Sequence, residues 1–513
     1  MSKWTQEFKY NLPRAYVENN ETSPLYLRYL LTSKGFACPD FSQGNCLEIG
    51  TGNGVGFSVK TMCSTAHWKG LEFNPTLVNK TLRRAKQCHI KLDLTSDDLA
   101  SFVKRPDLPK FDLICVDFVW SWISKEDQEL IIDLVKNNLN EGGVFYVSYN
   151  CTTGMTNFES VRDLMKLYDT NKHNNSVSNK DKVLSISKFL YPIMELNPCY
   201  VIAQPDFAQR IQQACFAPDQ FLSENINTYW HMEHFSELAK RLDRADMGFV
   251  CSANGADHLD HINLTQEQIE FLQPLLGTSL YEECHDFIVD QRYRYDVFIK
   301  GAVPLNTNEF LDEFASQNIV MITNAANFDY KLAGNNGEVE LPRELYEPLI
   351  ALLSDNQSHN IGMLINTILS ERSDIETSDL IAAINTLVFS GICSVAAHNE
   401  EISPECLEQN LRMNLNIINS FSDNENIFVG SPLLQSPVAL PAIDAHMLRI
   451  FVNTPDCTDL HLIEGLLQLC VSGQISLNSD GQLNDEQIIK ATTECVAAFL
   501  SQSLPLYSKL LIV

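Results

Sequence analysis

Apolar runs alternate with amphipathic stretches along the first 150 residues of the chain. Asn45–Ile49 is a short apolar segment carrying one acid, Glu48, and it reads as a buried strand. It opens into the glycine-rich turn Gly50-Thr51-Gly52-Asn53-Gly54, after which a helix is expected from near Val55. A second strand is expected in His67–Leu71, ending at Glu72. A third ends within Ile90–Leu94, a fourth occupies Lys110–Phe118, and a fifth occupies Val144–Tyr149. Glu129–Asn138 reads as a helix leading through Glu141-Gly142-Gly143 into the fifth strand. Strands alternating with helices in this way predict a doubly wound α/β sheet with its ligand site outside the carboxyl ends of the strands.

Two further strands complete the pattern much later. His234–Met247 reads as an amphipathic helix, with Phe235, Leu238, Leu242 and Met247 on one side. Gly248–Ser252 and Tyr295–Ile299 read as the sixth and seventh strands, the last antiparallel. Residues 152–228 therefore interrupt the sheet as an insertion of helical pattern (Phe158–Asp169, Lys182–Glu195, Asp206–Ala214) with a polar loop at Asn171–Lys180. Because it departs above the carboxyl end of strand five, it is expected to act as a lid. The expected domains are 1–151, 152–228, 229–301 and 302–513.

The last of these differs in character. Leu380–Val395 and Leu462–Leu477 echo each other as an apolar helix ending at Ser-Gly and followed by a short strand. Phe328–Leu332 and Glu338–Leu341, joined across Gly334–Gly337, read as a hairpin. A helix-rich domain of winged-helix character is expected. Its helices are poor in Arg and Lys, so docking to protein is expected rather than to DNA.

The chemistry concentrates around the first turn. A dinucleotide-binding turn has the form G-x-G-x-x-G, but Val55 stands where the third glycine would fall; here the glycines occupy 50, 52 and 54. Glu48 would repel a pyrophosphate and suits a cationic ligand. Glu72 lies 22 residues beyond Gly50, at the spacing from which a carboxylate reaches ribose hydroxyls. Asp93 is expected to meet an adenine amino group and Leu94 the adenine face.

The motif E-x-G-x-G-x-G, with acids at the ends of the following strands, resembles class I S-adenosylmethionine (SAM) methyltransferases. Val119–Ile123, Tyr146–Asn150, Tyr229–Phe235 and Arg294–Gly301 resemble a narrower group, bacterial methyltransferases carrying a methyltransferase regulatory domain. That group includes the rickettsial protein lysine methyltransferases acting on outer-membrane protein. The resemblance covers roughly the first 300 residues. It implies a seven-stranded Rossmann-like methyltransferase sheet and SAM as cofactor, bound by Glu48, Gly50, Thr51, Gly52, Gly54, Glu72, Phe73, Asp93, Leu94 and Asp117. It further implies a lysine-bearing protein as acceptor. The group commonly has Asp where this chain has Glu72, and small or polar residues where it has Asp117-Phe118.

Composition narrows the alternatives. The chain has 513 residues and a formal charge of −28, which excludes a phosphate-backbone partner and would steer cationic ones. No run of 18 apolar residues occurs and Met1–Glu7 lacks a signal-peptide stretch, so no membrane insertion and a cytoplasmic location are expected. The 15 cysteines show no paired spacing. Neither His231/His234 nor Asp257-His258-Leu259-Asp260-His261 matches a zinc signature, and no metal is expected. A homodimer is a further expectation.

A lysine nucleophile must shed a proton from a group of pKa about 10.4 before attacking a sulfonium methyl. An apolar aromatic channel beside the sulfonium favours that loss, and Trp122 and Tyr149 are expected as its walls. The alternatives are a small-molecule SAM methyltransferase and a catalytically idle SAM-binding interaction module.

Overall fold

The computed structural model describes residues 20–173, 177–196, 199–202, 211, 227–421, 427–472, 474–475 and 485–513. Helix α1 (Pro24–Ser33) precedes β1 (Asn45–Ile49) and α2 (Val55–Cys63). Then follow β2 (His67–Leu71), α3 (Pro75–Gln87), β3 (Asp93–Thr95), β4 (Phe111–Val116), α4 (Lys125–Asn138) and β5 (Leu139–Cys151). The helix starts are written locally. Asn74 accepts from the Thr76 amide ahead of Pro75, and Ser124 accepts from the Asp127 amide, with Glu126 and Asp127 in the first turn of α4.

From Cys151 the chain passes directly into α5 (Thr152–Lys172) and then α6 (Asn179–Glu195). The sheet resumes after α7 (Phe235–Leu242) with β6 (Met247–Ser252), α8 (Ser279–Val289) and β7 (Tyr293–Lys300). The spatial order is β3-β2-β1-β4-β5-β7-β6, with β7 antiparallel to both neighbours, as the pattern predicts.

Register fixes the working edge of this sheet. Ile49 pairs with Leu71 and Val116, Leu71 with Thr95, and Val116 with Val147. Asp296 then pairs with both Val147 and Ser252. These residues form one row across the sheet, so Gly50, Glu72, Asp117 and Ser148 leave it together at one rim.

The third strand begins later than expected. His89 adopts a left-handed conformation (φ 61°), and the Ile90 amide bonds back to the Ala85 carbonyl at 2.8 Å. This six-to-one hydrogen bond closes α3 and consumes Ile90, so pairing starts only at Asp93. The expected helix His234–Met247 likewise ends early, because Asp246 turns left-handed (φ 58°) and Met247 enters β6. Of the expected loop Asn171–Lys180, Asn171 and Lys172 finish α5 and Asn179 starts α6, while 174–176 lie outside the described residues. Apart from Ile211, so does the expected helix Asp206–Ala214. The helices between β6 and β7, α8 among them, were not anticipated.

Beyond β7 come α9 (Thr307–Ser316), β8 (Asn318–Met321), the hairpin β9 (Lys331–Gly334) and β10 (Gly337–Glu340), and then α10 (Arg343–Leu353), α11 (Ile361–Glu371), α12 (Thr377–Phe389) and β11 (Cys393–Ala396). The chain continues through α13 (Pro404–Ser420), the hairpin β12 (Ile427–Ser431) and β13 (Ser436–Leu440), α14 (Ala442–Asn453) and α15 (Asp459–Val471). Gly391 (φ 73°) stops the first echoed helix ahead of β11, as expected; Gly473 and the strand expected after it at Ser476–Leu477 lie outside the described residues.

One apolar core joins the two ends of the chain. Leu27, Leu30 and Leu31 of α1 and Cys46, Cys115 and Tyr146 of the sheet pack with Phe314, Ile319, Ile384 and Leu387. A second core joins Val55 and Val59 of α2 to Met413, Ile417 and Val429. The opposite face of the sheet, including Leu47, Ile49, Ile114, Val116 and Val147, packs on Ile131 and Val135 of α4 and Leu238 of α7.

Under that face Arg294 is buried with three carboxylates: Asp286 at 2.6 Å, Glu282 at 2.7 Å and Asp296 at 3.0 Å. Burial pushes Asp286 up to about 7. The guanidinium also lies 4.5 Å from the centre of the Phe235 ring. Removing one partner of a buried ionic group strands the rest, at a cost of about 3–5 kcal/mol. Arg294→Met is expected to destabilise the fold by that amount in urea unfolding; a loss below about 1 kcal/mol would show that the carboxylates are discharged without Arg294.

Candidate functional site

The turn after β1 is built from glycines that no other residue replaces at low cost. Gly50, Gly52 and Gly54 all have positive φ, at 92°, 60° and 72°. A Cβ on Gly50 would lie 2.2 Å from Val119 Cγ2, and one on Gly54 would lie 2.3 Å from Thr81 Cγ2. The turn is tied to the neighbouring strand by Glu72, whose Oε2 accepts from the Gly52 amide at 2.8 Å and whose Oε1 accepts from the Asn74 amide at 2.9 Å. A carboxylate oxygen accepts more than one hydrogen bond, so the same group can also receive a ligand hydroxyl. Thr51 is buried in the turn and its hydroxyl has no partner, so a polar ligand group is the natural complement. Phe73 follows Glu72 at the rim and packs on the core below.

Glu48, expected as an anion suited to a cationic ligand, has a partner within the fold: its Oε2 is 2.7 Å from Nζ of Lys60, a buried residue of α2 that also donates to Thr22 Oγ1 at 2.8 Å. The charge beneath the turn is therefore already compensated.

Two adenine contacts are corrected. Asp93 pairs with Lys69 across the strands and forms an ion pair with it, two rows behind the rim, with its side chain turned to solvent. Leu94 is buried in the core near Phe57 and Trp68. The rim acid on this strand is Asp97, held at 2.5 Å by Arg105. The closing bond of α3 displaced the strand, and a left-handed His before an apolar residue is a weak signal in sequence.

At the rim of β4, Asp117 Oδ1 accepts from Ser148 Oγ at 2.7 Å and from Tyr146 OH at 3.0 Å. Enclosure by protein pushes Asp117 up to about 6, against the opposing effect of those two donors. Glu21 lies within electrostatic reach of Asp117 and Asp257. Burial, reinforced by Asp117, raises Glu21 to about 8, and one of its oxygens is enclosed without a hydrogen-bond partner.

Phe118 adopts a left-handed backbone conformation (φ 49°), which turns its ring into an aromatic group. Its centroid lies 6.4 Å from Trp122, 6.4 Å from Tyr293 and 5.9 Å from Tyr295. Trp122 thus stands where an aromatic wall was expected. It also packs with Phe158 and Met165 of α5 and Ile186 and Leu190 of α6, so these helices cover the β4–β5 end of the rim.

Tyr149 does not belong to this wall. Side chains alternate along a strand. Tyr146 and Ser148 face Asp117, whereas Tyr149 takes the other face and donates to Asp296 Oδ2 at 2.6 Å in the Arg294 network. The aromatic pair missed from sequence is Tyr293 and Tyr295. Tyr295 pairs with Ser148 and Tyr293 with Asn150, so the period of two on β7 was the available signal. The histidine-rich stretch is structural: Asp257 Oδ2 accepts from Ser252 Oγ at 2.6 Å, and the His258 ring bonds the Ser252 carbonyl at 2.7 Å. His234 caps the approach to α7 and bonds Glu283 at 3.0 Å. Among the described residues no helix is long and apolar enough to cross a membrane.

Comparison with known proteins places this arrangement. Residues 219–300 match the family model described as a predicted methyltransferase regulatory domain. An uncharacterized protein of Synechocystis sp. is 24% identical over 451 residues, 87% of each chain. An uncharacterized protein of Rickettsia prowazekii is 23% identical over 317 residues, 58% of this chain and 54% of its own. PKMT2 from Rickettsia typhi in complex with AdoHcy superposes with a TM-score of 0.66 at 16% identity, covering 94% of this chain and 97% of PKMT2; another structure of PKMT2 gives 0.67 at 17%. The chain therefore shares the class I SAM-methyltransferase fold and resembles rickettsial PKMT2 through nearly its whole length, including the region beyond residue 302.

A carboxyl group held up to about 6 in the fold, against 3.8 as its ordinary value, binds its proton more tightly folded than unfolded. The stability it contributes is complete below pH about 4 and is lost as pH rises to about 6, up to about 3 kcal/mol in all. Asp117→Asn keeps an oxygen for Ser148 and Tyr146 and removes this loss. Urea unfolding at pH 4 and pH 8 is expected to show the variant gaining on the wild type at the higher pH; parallel behaviour at both would place the proton elsewhere.

Proposed function

We propose that this chain is a SAM-dependent methyltransferase acting on lysine side chains of a protein. The observation that carries the reading is the single rim on which the glycine turn, Glu72, Asp117 and the Phe118 aromatic group meet. Support for the donor comes from the shared fold with PKMT2, which was solved with AdoHcy, from the match to a predicted methyltransferase regulatory domain, and from the fit of the turn. Its orphan Thr51 hydroxyl and the acceptor oxygens of Glu72 suit a polyhydroxylated adenosine. Support for a lysine acceptor comes from the resemblance to rickettsial protein lysine methyltransferases and from the Asp117 carboxyl and the Phe118 aromatic group at one rim, which suit an alkylammonium.

When bound, the donor supplies a methyl group activated by positive sulfur. The chain does the rest by placement. Glu72 holds the ribose hydroxyls and Thr51 a polar group of the donor. Phe118, Trp122, Tyr293 and Tyr295 exclude water and leave a channel for the acceptor stem. Asp117, with Oδ1 engaged by Ser148 and Tyr146, turns its remaining oxygen to the incoming ammonium and draws off its proton. A carboxylate raised toward neutrality is a better proton acceptor than an ordinary one. Helices α5 and α6 roof the channel.

Calorimetry with SAM and S-adenosylhomocysteine tests the donor. Glu72→Ala removes charge-assisted hydrogen bonds of about 1.5–3 kcal/mol, so affinity is expected to fall about 10–100-fold. Wild-type protein without affinity for either ligand rejects the reading. Labelled SAM with a bacterial extract, followed by peptide mapping, tests the acceptor. Label on lysine is expected, and label only in small molecules moves the acceptor class. Asp117→Asn is expected to lower turnover about 100-fold while donor affinity holds.

A further inference from the structure

Two thiols meet on the C-terminal side of the glycine-turn helix. Cys63 is the last residue of α2 and Cys406 lies in the first turn of α13; 343 positions apart in sequence, their sulfurs are 3.2 Å apart. Both are free thiols, Cys63 partly exposed and Cys406 buried. The separation is inside the roughly 3.5–4.0 Å at which unbonded carbons rest, and sulfur is the larger atom. A disulfide of about 2.05 Å asks the sulfurs to approach by only about 1.2 Å.

The setting favours reaction at this pair over the thiols enclosed in the core. The Cys406 amide donates to Ser403 Oγ at the cap of α13, which puts the sulfur at the positive end of that helix. Cys46, Cys115, Cys251 and Cys393 are enclosed in the core, where burial raises each thiol; within the pair the mutual contact raises Cys63 but lowers Cys406, which no core thiol matches. The two helices are already held together, since Val59 of α2 shares a core with Met413 and Ile417 of α13.

We infer that Cys63 and Cys406 form a redox site, a reversible disulfide that fastens the helix opened by the glycine turn to the C-terminal layer. With a low-molecular-weight disulfide such as oxidised glutathione, the Cys406 thiolate, favoured by its contact with the Cys63 thiol, attacks one glutathione sulfur and expels a glutathione thiolate. Cys63, giving up its proton, then attacks the Cys406 sulfur and expels the second. The protein loses two electrons and two protons, and these reduce one glutathione disulfide to two thiols. The clamp acts on α2 at the end remote from the turn, so it restrains the turn without touching a ligand.

Full-length protein incubated with oxidised glutathione, unfolded in an alkylating reagent and digested is expected to yield one peptide pair joined through Cys63 and Cys406, released by dithiothreitol. Cys63→Ser and Cys406→Ser should each abolish it. Hydrogen exchange across residues 55–63 is expected to slow on oxidation in the wild type and to stay unchanged in either variant. Recovery of Cys63 and Cys406 as separate alkylated or glutathionylated peptides overturns the inference, as does a link from either thiol to another cysteine. The wild-type peptide map decides the matter even where a variant folds poorly, and it does so whether or not the chain transfers methyl groups.

Discussion

The hydrogen bond from the Gly52 amide to Glu72 is the tie on which the site depends. A turn of three left-handed glycines has little conformational preference of its own. Anchored to the carboxylate that ends β2, it becomes a fixed part of the sheet rim, and the ladder register does the rest. Once Ile49, Leu71, Thr95, Val116 and Val147 stand in one row, the residues after them must emerge side by side. The same carboxylate serves the fold through two backbone amides and, in the proposed function, also meets the donor, so structure and binding would draw on one group.

Around the rim, charge and aromatic surface are separated by strand alternation. One face of β5 and β7 presents Tyr146, Ser148 and Tyr295 toward Asp117; the other presents Tyr149, Arg294 and Asp296 to a closed ionic network. The first set gathers two hydroxyl donors on one oxygen of a carboxyl group that the fold holds up to about 6, which suits proton exchange. The second pairs Arg294 with Glu282 and Asp286 of α8 and so holds that helix against the sheet. Adjacent residues of one strand thus do opposite jobs.

Most of the sheet was legible in the chain because its strands are apolar runs punctuated by acids and glycines, and Glu48, the glycines, Glu72 and Asp117 fell where the pattern put them. The failures have specific causes. The His89–Ile90 closure of α3 moved β3 by three residues and took Asp93 and Leu94 out of the site. A choice between adjacent residues put Tyr149 on the wrong face. Lys60 was invisible as the partner of Glu48 because twelve residues and a turn of helix separate them. Glu21 lies outside every motif and comes within electrostatic reach of Asp117 only through the packing of the segment before α1. The C-terminal layer gave up its helix–glycine–strand unit but not its core, since the contacts of periodic apolar positions such as Ile384 and Leu387 with α1 span most of the chain.

The insertion between β5 and β7 has a consequence for synthesis. On the ribosome, β5 is finished at Cys151, but its antiparallel neighbour starts only at Tyr293, about 140 residues later. At roughly 5–20 residues per second the nascent chain carries an open strand edge, with Phe145 and Val147 beside it, for roughly 7–30 s. Such an edge invites pairing with other chains. The helices that follow Cys151 without a linker are the first material able to shield it, so the roof over the rim doubles as a guard for the half-made sheet during translation.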